Sequence, residues 1–236
     1  MKEILIVDKN DFPSQVLGKL YTKLFGYKTD GFLVEIGVGN CLKGHGGLEE
    51  NASNTANLAD MGWSGVYVEP NPTFIDQIKE RHKDNNVNII ECAAGDVNTE
   101  LELRGDTTDV ETLHAFQKLG FYGAGEDKIA HQVKQRPVND IFEEANVPGK
   151  FELLTVDVEG AEHMILKSID FSRWRPLVVM LEIRYKHPHF INNFPDLVQS
   201  SKESSNVLLR NGYRVVYEDI LNAIFVCDLL GGASFQ

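Results

Sequence analysis

"FLVEIGVGNCLKGHGG", Phe32 to Gly47, sets five glycines behind a short apolar run and places a glutamate, Glu35, just ahead of them. In an open α/β sheet the ligand sits beyond the carboxyl ends of the strands, near the switch point at the first strand. Gly37 and Gly39 fall at that place. The dinucleotide fingerprint G-x-G-x-x-G wants a third glycine where this chain has Leu42, and no G-x-x-x-x-G-K-[ST] phosphate loop occurs. The turn is built for something other than a pyrophosphate.

Outward from the turn, apolar runs alternate with amphipathic stretches, the pattern of a mostly parallel sheet with helices on both faces. Strands are expected at 31–37, 65–70, 87–93, 151–158 and 177–183, and helices at 13–25, 53–61, 71–84, 138–146, 161–169 and 196–211. Two further runs, 213–219 and 223–229, lie so close together that they must form an antiparallel hairpin. The expected fold is therefore a seven-stranded α/β sheet closed by that hairpin. Residues 1–30 read as a helical extension and 31–236 as one domain. The stretch 94–135 is too long for a bare loop; it reads as a short hairpin around Leu101–Leu103 and then a variable insertion, 105–131.

The bulk numbers narrow the function. A chain of 236 residues with 42% hydrophobic and 25% charged residues is an ordinary globular protein. Its net charge of -12 argues against nucleic acid and anionic membrane as general partners. No run approaches the ~18 apolar residues of a membrane span, and the N-terminal apolar run is too short for a signal peptide. Cys41, Cys92 and Cys227 lack metal or redox spacing, so reduced buried thiols and a cytoplasmic setting are expected.

Acids mark the strand ends. Glu69 closes the second strand, where a carboxylate can accept from both hydroxyls of a ribose. Glu35 in the first loop suits a cation and repels phosphate; the lesser alternative is a helix-dipole or salt-bridge partner. Asp96, after Ala93 and Ala94, can accept from an adenine amino group, or be an ordinary turn residue. Ser53 or Asn54 is the expected N-cap of a helix whose inner face carries Ala56, Ala59 and Met61, and whose free N–H groups would meet a carboxylate. A ribose, an amino group, a sulfonium and no phosphate describe S-adenosylmethionine. The candidate cofactor contacts are Glu35, Gly37, Val38, Gly39, Asn54, Glu69, Pro70, Ala94, Asp96 and Asp157.

"VEIGVGN", "SNTANLADMGWSGVYVEPNPTFIDQI", "LLTVDVEGAEHMILKSIDF" and "NAIFV" together resemble the FkbM family of S-adenosylmethionine-dependent methyltransferases, from about Phe32 to Val226. The resemblance implies a class I methyltransferase (Rossmann-like) fold and O-methylation of sugar hydroxyls. Two departures stand out: Glu35 replaces the family's usual Asp, and the loop between Asn40 and Ser53 is longer than usual. A nicotinamide-dependent sugar-modifying enzyme and a catalytically silent S-adenosylmethionine-binding module are the rival readings.

Methyl transfer to a hydroxyl needs an aligned acceptor oxygen and a group to take its proton. "DVEGAEH" puts Asp157 and Glu159 at the fourth strand's end, and Glu182 ends the fifth; these three are the candidate catalytic residues. Glu162 reads as an acid charging the first turn of its helix. A divalent ion such as Mg²⁺ on Asp157, Glu159 and Glu182 is the second version; the metal-free one is favoured because no D-x-D cluster announces a magnesium site. His45, His187 and His189 are weaker candidates for the proton or the acceptor. A small-molecule or glycan acceptor would be carried by 40–52, 105–131 and 185–196.

Overall fold

A computed structural model describes residues 28–39, 41, 53–105 and 128–228, with Lys23 and Gly26. In chain order the first elements are β1 (Phe32–Ile36), α1 (Ala56–Asp60), β2 (Ser64–Glu69), α2 (Pro72–Arg81) and β3 (Val87–Glu91). A side sheet follows from β4 (Ala93–Gly95), β5 (Thr99–Gly105) and β6 (Lys128–Pro137). The chain returns through α3 (Val138–Glu144), β7 (Lys150–Val156), α4 (Glu162–Ser168) and β8 (Arg175–Glu182). It ends with α5 (Pro188–Asn193), α6 (Pro195–Arg210), β9 (Tyr213–Glu218) and β10 (Asn222–Cys227).

The main sheet has seven strands in the order β3-β2-β1-β7-β8-β10-β9. Its neighbours are parallel except β10, which runs antiparallel to both β8 and β9. Order reverses between β1 and β7, so the crevice at their carboxyl ends is the switch point. The central strands are apolar on both faces, as a sheet covered on both sides requires. Val34 and Ile36 join Leu154, Val156, Val179 and Leu181 in one core layer; Leu33 joins Leu153, Val178 and Tyr67 in the other. With side chains alternating along the strand, Glu35 takes the face of Leu33.

The seven strands, the terminal hairpin and the covering helices are as the sequence predicts. Several details differ. The third expected strand divides: β3 stays in the main sheet, and β4 turns away to pair in parallel with β6. The hairpin is not local to Leu101–Leu103, because β5 pairs with β6 across the whole insertion, Thr99 opposite Gln135 and Gly105 opposite Lys128. β6 was not expected at all, being too polar to read as a strand. Helix α1 is short, and Met61 is 48% exposed rather than turned inward. Helix α5 is an addition between β8 and α6. Trp63, Phe171 and Trp174 are core residues, and all three cysteines are free and buried. The expected helix at 13–25, His45, and most of 40–52 and 105–131 lie outside the described residues.

Strand ends are stitched together where the ligand would approach. Gly37 N–H donates to Val68 C=O at 2.9 Å, and Asp157 N–H donates to Ile36 C=O at 3.0 Å. Gly37 has φ +84°, and a Cβ there would stand 1.7 Å from the Asp157 carbonyl oxygen. No side chain fits without moving β7. Gly37→Ala is expected to cost more than about 2 kcal/mol, as left-handed strain and a backbone clash add. A urea midpoint within error of the parent would contradict this.

Candidate functional site

Glu35 is fully buried and looks into the start of α1. Ser53 Oγ donates to it at 2.7 Å, Asn54 N–H donates at 2.7 Å, and the Thr55 hydroxyl donates as well. The N-cap position falls on Thr55 rather than on Ser53 or Asn54, and Ser53 Oγ supports it from just ahead, accepting from Thr55 N–H at 3.3 Å and Ala56 N–H at 3.1 Å. The N–H groups expected to meet a ligand carboxylate are thus partly spent on Glu35 and Ser53. Burial raises the Glu35 carboxyl to about 7 against the pull of the Thr55, Ser53 and Asn54 hydrogen bonds.

Glu69 is also inside, 5% exposed. Its Oε2 accepts from Val38 N–H at 3.0 Å and Gly39 N–H at 2.9 Å, and its Oε1 accepts from Asn71 N–H at 2.8 Å. One carboxylate therefore clamps the glycine turn to the segment that opens α2. Gly39 has φ +64°, the left-handed conformation that a side chain resists. Pro70, directly after Glu69, is half-buried, Ala94 is buried in β4, and Asp96 is exposed in the bend that follows β4.

The acids after β7 and β8 converge. Carboxylate oxygens of Asp157, Glu159 and Glu182 lie within 4.8 Å of one another, each residue keeping part of its surface open. Beneath them stands Arg184, 0% exposed, a residue to which the sequence alone assigns no role. Its guanidinium donates to Glu159 at 2.9 Å and to Glu162 at 3.4 Å. It also stands 2.5 Å from Glu182 Oε2, an ion pair without hydrogen-bond alignment. Arg184 N–H donates to Ser201 Oγ on α6 at 2.8 Å, and the guanidinium faces the Phe190 ring of α5 at 5.6 Å. Period-2 spacing puts Glu182 and Arg184 on one side of the chain, the signal that could have exposed the pair. Glu162, the first residue of α4, reaches back to the loop ahead of its helix, accepting from Val158 N–H at 3.1 Å and Gly160 N–H at 3.0 Å.

Four carboxylates around one guanidinium leave an excess of negative charge in a poorly solvated place, so protons must be retained. Burial raises Glu182 well above the usual carboxylate range, and the charge of Asp157 adds to it. Asp157 is raised by burial too, but hydrogen bonds with Glu182 and the Asn54 side chain pull it back. Glu182 and Asp157 thus share a retained proton between them. Glu159 rises to about 7 through burial and Asp157, with Arg184 opposing. Glu159 also holds φ +55°, an uncommon backbone state for a non-glycine residue. Burial disfavours the charge on Arg184, and the surrounding carboxylates outweigh it, so it stays protonated.

As a metal set the three oxygens have the right chemistry, but the guanidinium already lies on Glu159 and Glu182. A cation is built into the protein there. His187 accepts from His189 N–H at the start of α5, and the two rings form a cluster with Phe190 and Phe194 beside Arg184.

These raised acids set a pH dependence. Between pH 4.5 and about 7 the folded protein holds a proton on Glu35 that the unfolded chain has lost, so stability falls as pH rises through that window. One such buried group accounts for about 3 kcal/mol. Urea unfolding at pH 5 and pH 7.5 should show the loss, and Glu35→Gln should remove roughly that share of it. An equal fall in the variant would clear Glu35 of the effect.

A sequence model of the methyltransferase FkbM domain matches residues 35–215. No curated protein gives a significant sequence match. Among solved structures, magnesium protoporphyrin IX methyltransferase (ChlM) from Synechocystis PCC 6803 is 11% identical, covering 91% of this chain and 83% of that one, with a TM-score of 0.43. The N-methyltransferase NodS from Bradyrhizobium japonicum WM9 is 12% identical over 94% of this chain and 99% of that one, with a TM-score of 0.45. At such identities their substrates remain properties of those proteins. With the family match running from Glu35 in β1 to Val215 in β9, through the parallel core and into the terminal hairpin, the chain belongs to the FkbM methyltransferase family.

Proposed function

We propose that the protein is an S-adenosylmethionine-dependent O-methyltransferase acting on a hydroxyl of a small, sugar-containing acceptor. The observation that carries the reading is the convergence of Asp157, Glu159 and Glu182 beside the Gly37–Gly39 turn. The donor supplies an electrophilic methyl group on a cationic sulfur. Gly37, Val38 and Gly39 offer a close backbone approach; Pro70 flanks the ribose, and Ala94 and Asp96 meet the adenine. Glu69 serves the ribose with whatever lone pairs its three N–H donors leave, while Glu35 and Asn54 shape the methionine end from behind.

Asp157 is the base. The acceptor O–H proton passes to its carboxylate as the O–C bond forms and the S–C electron pair returns to sulfur. The positive charge lost from sulfur reappears as that proton, so the total charge of the mouth is unchanged, which suits a site that cannot readily shed charge to water. Glu182 shares a proton with Asp157, and Glu159 offers an oxygen to the acceptor. Of the α5 rings, Phe190 is buried against Arg184, and the more open His187 and His189 are left to meet a sugar. Arg184 supplies the cation that a metal-dependent version would need, which supports metal-free transfer. The surplus of acid and the net charge of -12 speak against a nucleic-acid acceptor.

Calorimetry with S-adenosylhomocysteine is expected to show binding that Glu69→Ala weakens at least tenfold, since the variant releases the glycine turn. In methyl-transfer assays over a panel of sugar nucleotides and glycosides, Asp157→Asn should lower kcat by roughly 10²–10⁴ with little change in cofactor affinity. Activity should survive exhaustive EDTA treatment. Near-normal turnover in Asp157→Asn, or full loss in EDTA restored by Mg²⁺, would reject this assignment of the base.

A further inference from the structure

The side sheet touches the cofactor crevice at two points. On one face of β6, His131, Val133 and Gln135 alternate with the outward residues of the strand. His131 Nε2 lies 3.3 Å from Thr73 Oγ1 in the first turn of α2, just beyond the Glu69 clamp. Val133 packs with Ala93 and Leu103. Gln135, 4% exposed, lies against Gly95, the residue immediately before Asp96. A Cβ on Gly95 would stand 2.2 Å from the Gln135 side-chain carbonyl carbon, so the glycine is the space that the amide occupies. Gln135 Nε2–H donates to Val97 C=O at 3.1 Å, gripping the turn from the other side of Asp96. Asp96 itself is exposed and free to meet a ligand.

We infer that Gln135 is a positioning residue for nucleobase recognition: by holding Gly95 and Val97 it fixes where Asp96 presents its carboxylate to the amino group of the adenine. The inference rests on the S-adenosylmethionine reading and adds a residue from a different sheet to it. A carboxylate accepts from the exocyclic amino group of adenine. Against hypoxanthine it faces a carbonyl oxygen, and two acceptors repel. Preference for adenine over hypoxanthine therefore reads the placement of Asp96, and it does so without any acceptor substrate. A bond of this kind survives only if its carboxylate is held to within a fraction of an ångström, which an exposed turn cannot do alone.

The test is calorimetry of S-adenosylhomocysteine and S-inosylhomocysteine with the parent protein, Asp96→Ala, Gln135→Ala and Gln135→Glu. The parent should favour the adenine ligand by roughly 10- to 100-fold, the range of one charge-assisted hydrogen bond. Asp96→Ala should erase the preference. Gln135→Ala should bring it to within about threefold, and so should Gln135→Glu, which keeps the shape but loses the N–H given to Val97. A Gln135 that served stability alone would weaken both ligands in proportion; that outcome overturns the inference. So does an unchanged preference in both Gln135 variants while Asp96→Ala loses it. If Asp96→Ala keeps the preference, Asp96 does not read the base and the inference falls with it. Failure of the parent to bind S-adenosylhomocysteine at all is the separate failure of the cofactor reading.

Discussion

Four carboxylates share one buried guanidinium at the carboxyl ends of β7 and β8, and the rest of the site is arranged around that imbalance. Arg184 reaches Glu159, Glu162 and Glu182, while its backbone is tied to Ser201 on α6 and its guanidinium faces Phe190 on α5. A buried charge without its partner is strongly destabilising, typically by about 3–5 kcal/mol. The elements that meet at Arg184 are therefore locked together by charge as well as by apolar packing. What the guanidinium leaves unbalanced is held as protons on raised carboxyls. On the proposed function, that surplus faces a cationic methyl donor and supplies the oxygen that receives the acceptor proton.

The cofactor side is organised differently. There the acids are first of all structural. Glu35 and Glu69 spend most of their accepting capacity on the helix start and on the glycine turn. Such a seat is shaped before anything binds, which spares a ligand the entropy of ordering a loop. Gly37 supplies the complementary constraint, since its missing side chain lets β1 approach the Asp157 carbonyl. The turn and the acid cluster are thus one rigid object, linked by hydrogen bonds between strand ends.

Much of this was legible in the sequence, for physical reasons. Strands buried on both faces write themselves as continuous apolar runs, so β1, β2, β7 and β8 were visible, and the short gap between β9 and β10 forced a hairpin. The acids at strand ends could be placed because each directly follows an apolar run. Their partners could not. Whether Glu35 meets a ligand or a helix start depends on where Ser53, Asn54 and Thr55 come to lie, and no periodicity in the sequence announces that. Arg184 hid behind the more familiar motif ahead of it. The segment "HQVKQRP" has one apolar residue on its inward face, Val133, and so β6 was missed together with Gln135. A strand whose buried face is polar has no hydrophobic signature to read.

The central claim is that the Gly37 turn and the Asp157 cluster form two sides of one methyl-transfer site. A crystal structure of the protein with S-adenosylhomocysteine tests it most directly. The account predicts the adenosine between the Glu69 clamp and Asp96, with the sulfur turned toward Asp157 and its lone pair aimed at the open side bounded by Glu159, Glu182 and α5. A ligand seated elsewhere, or one whose sulfur points away from Asp157, would contradict it.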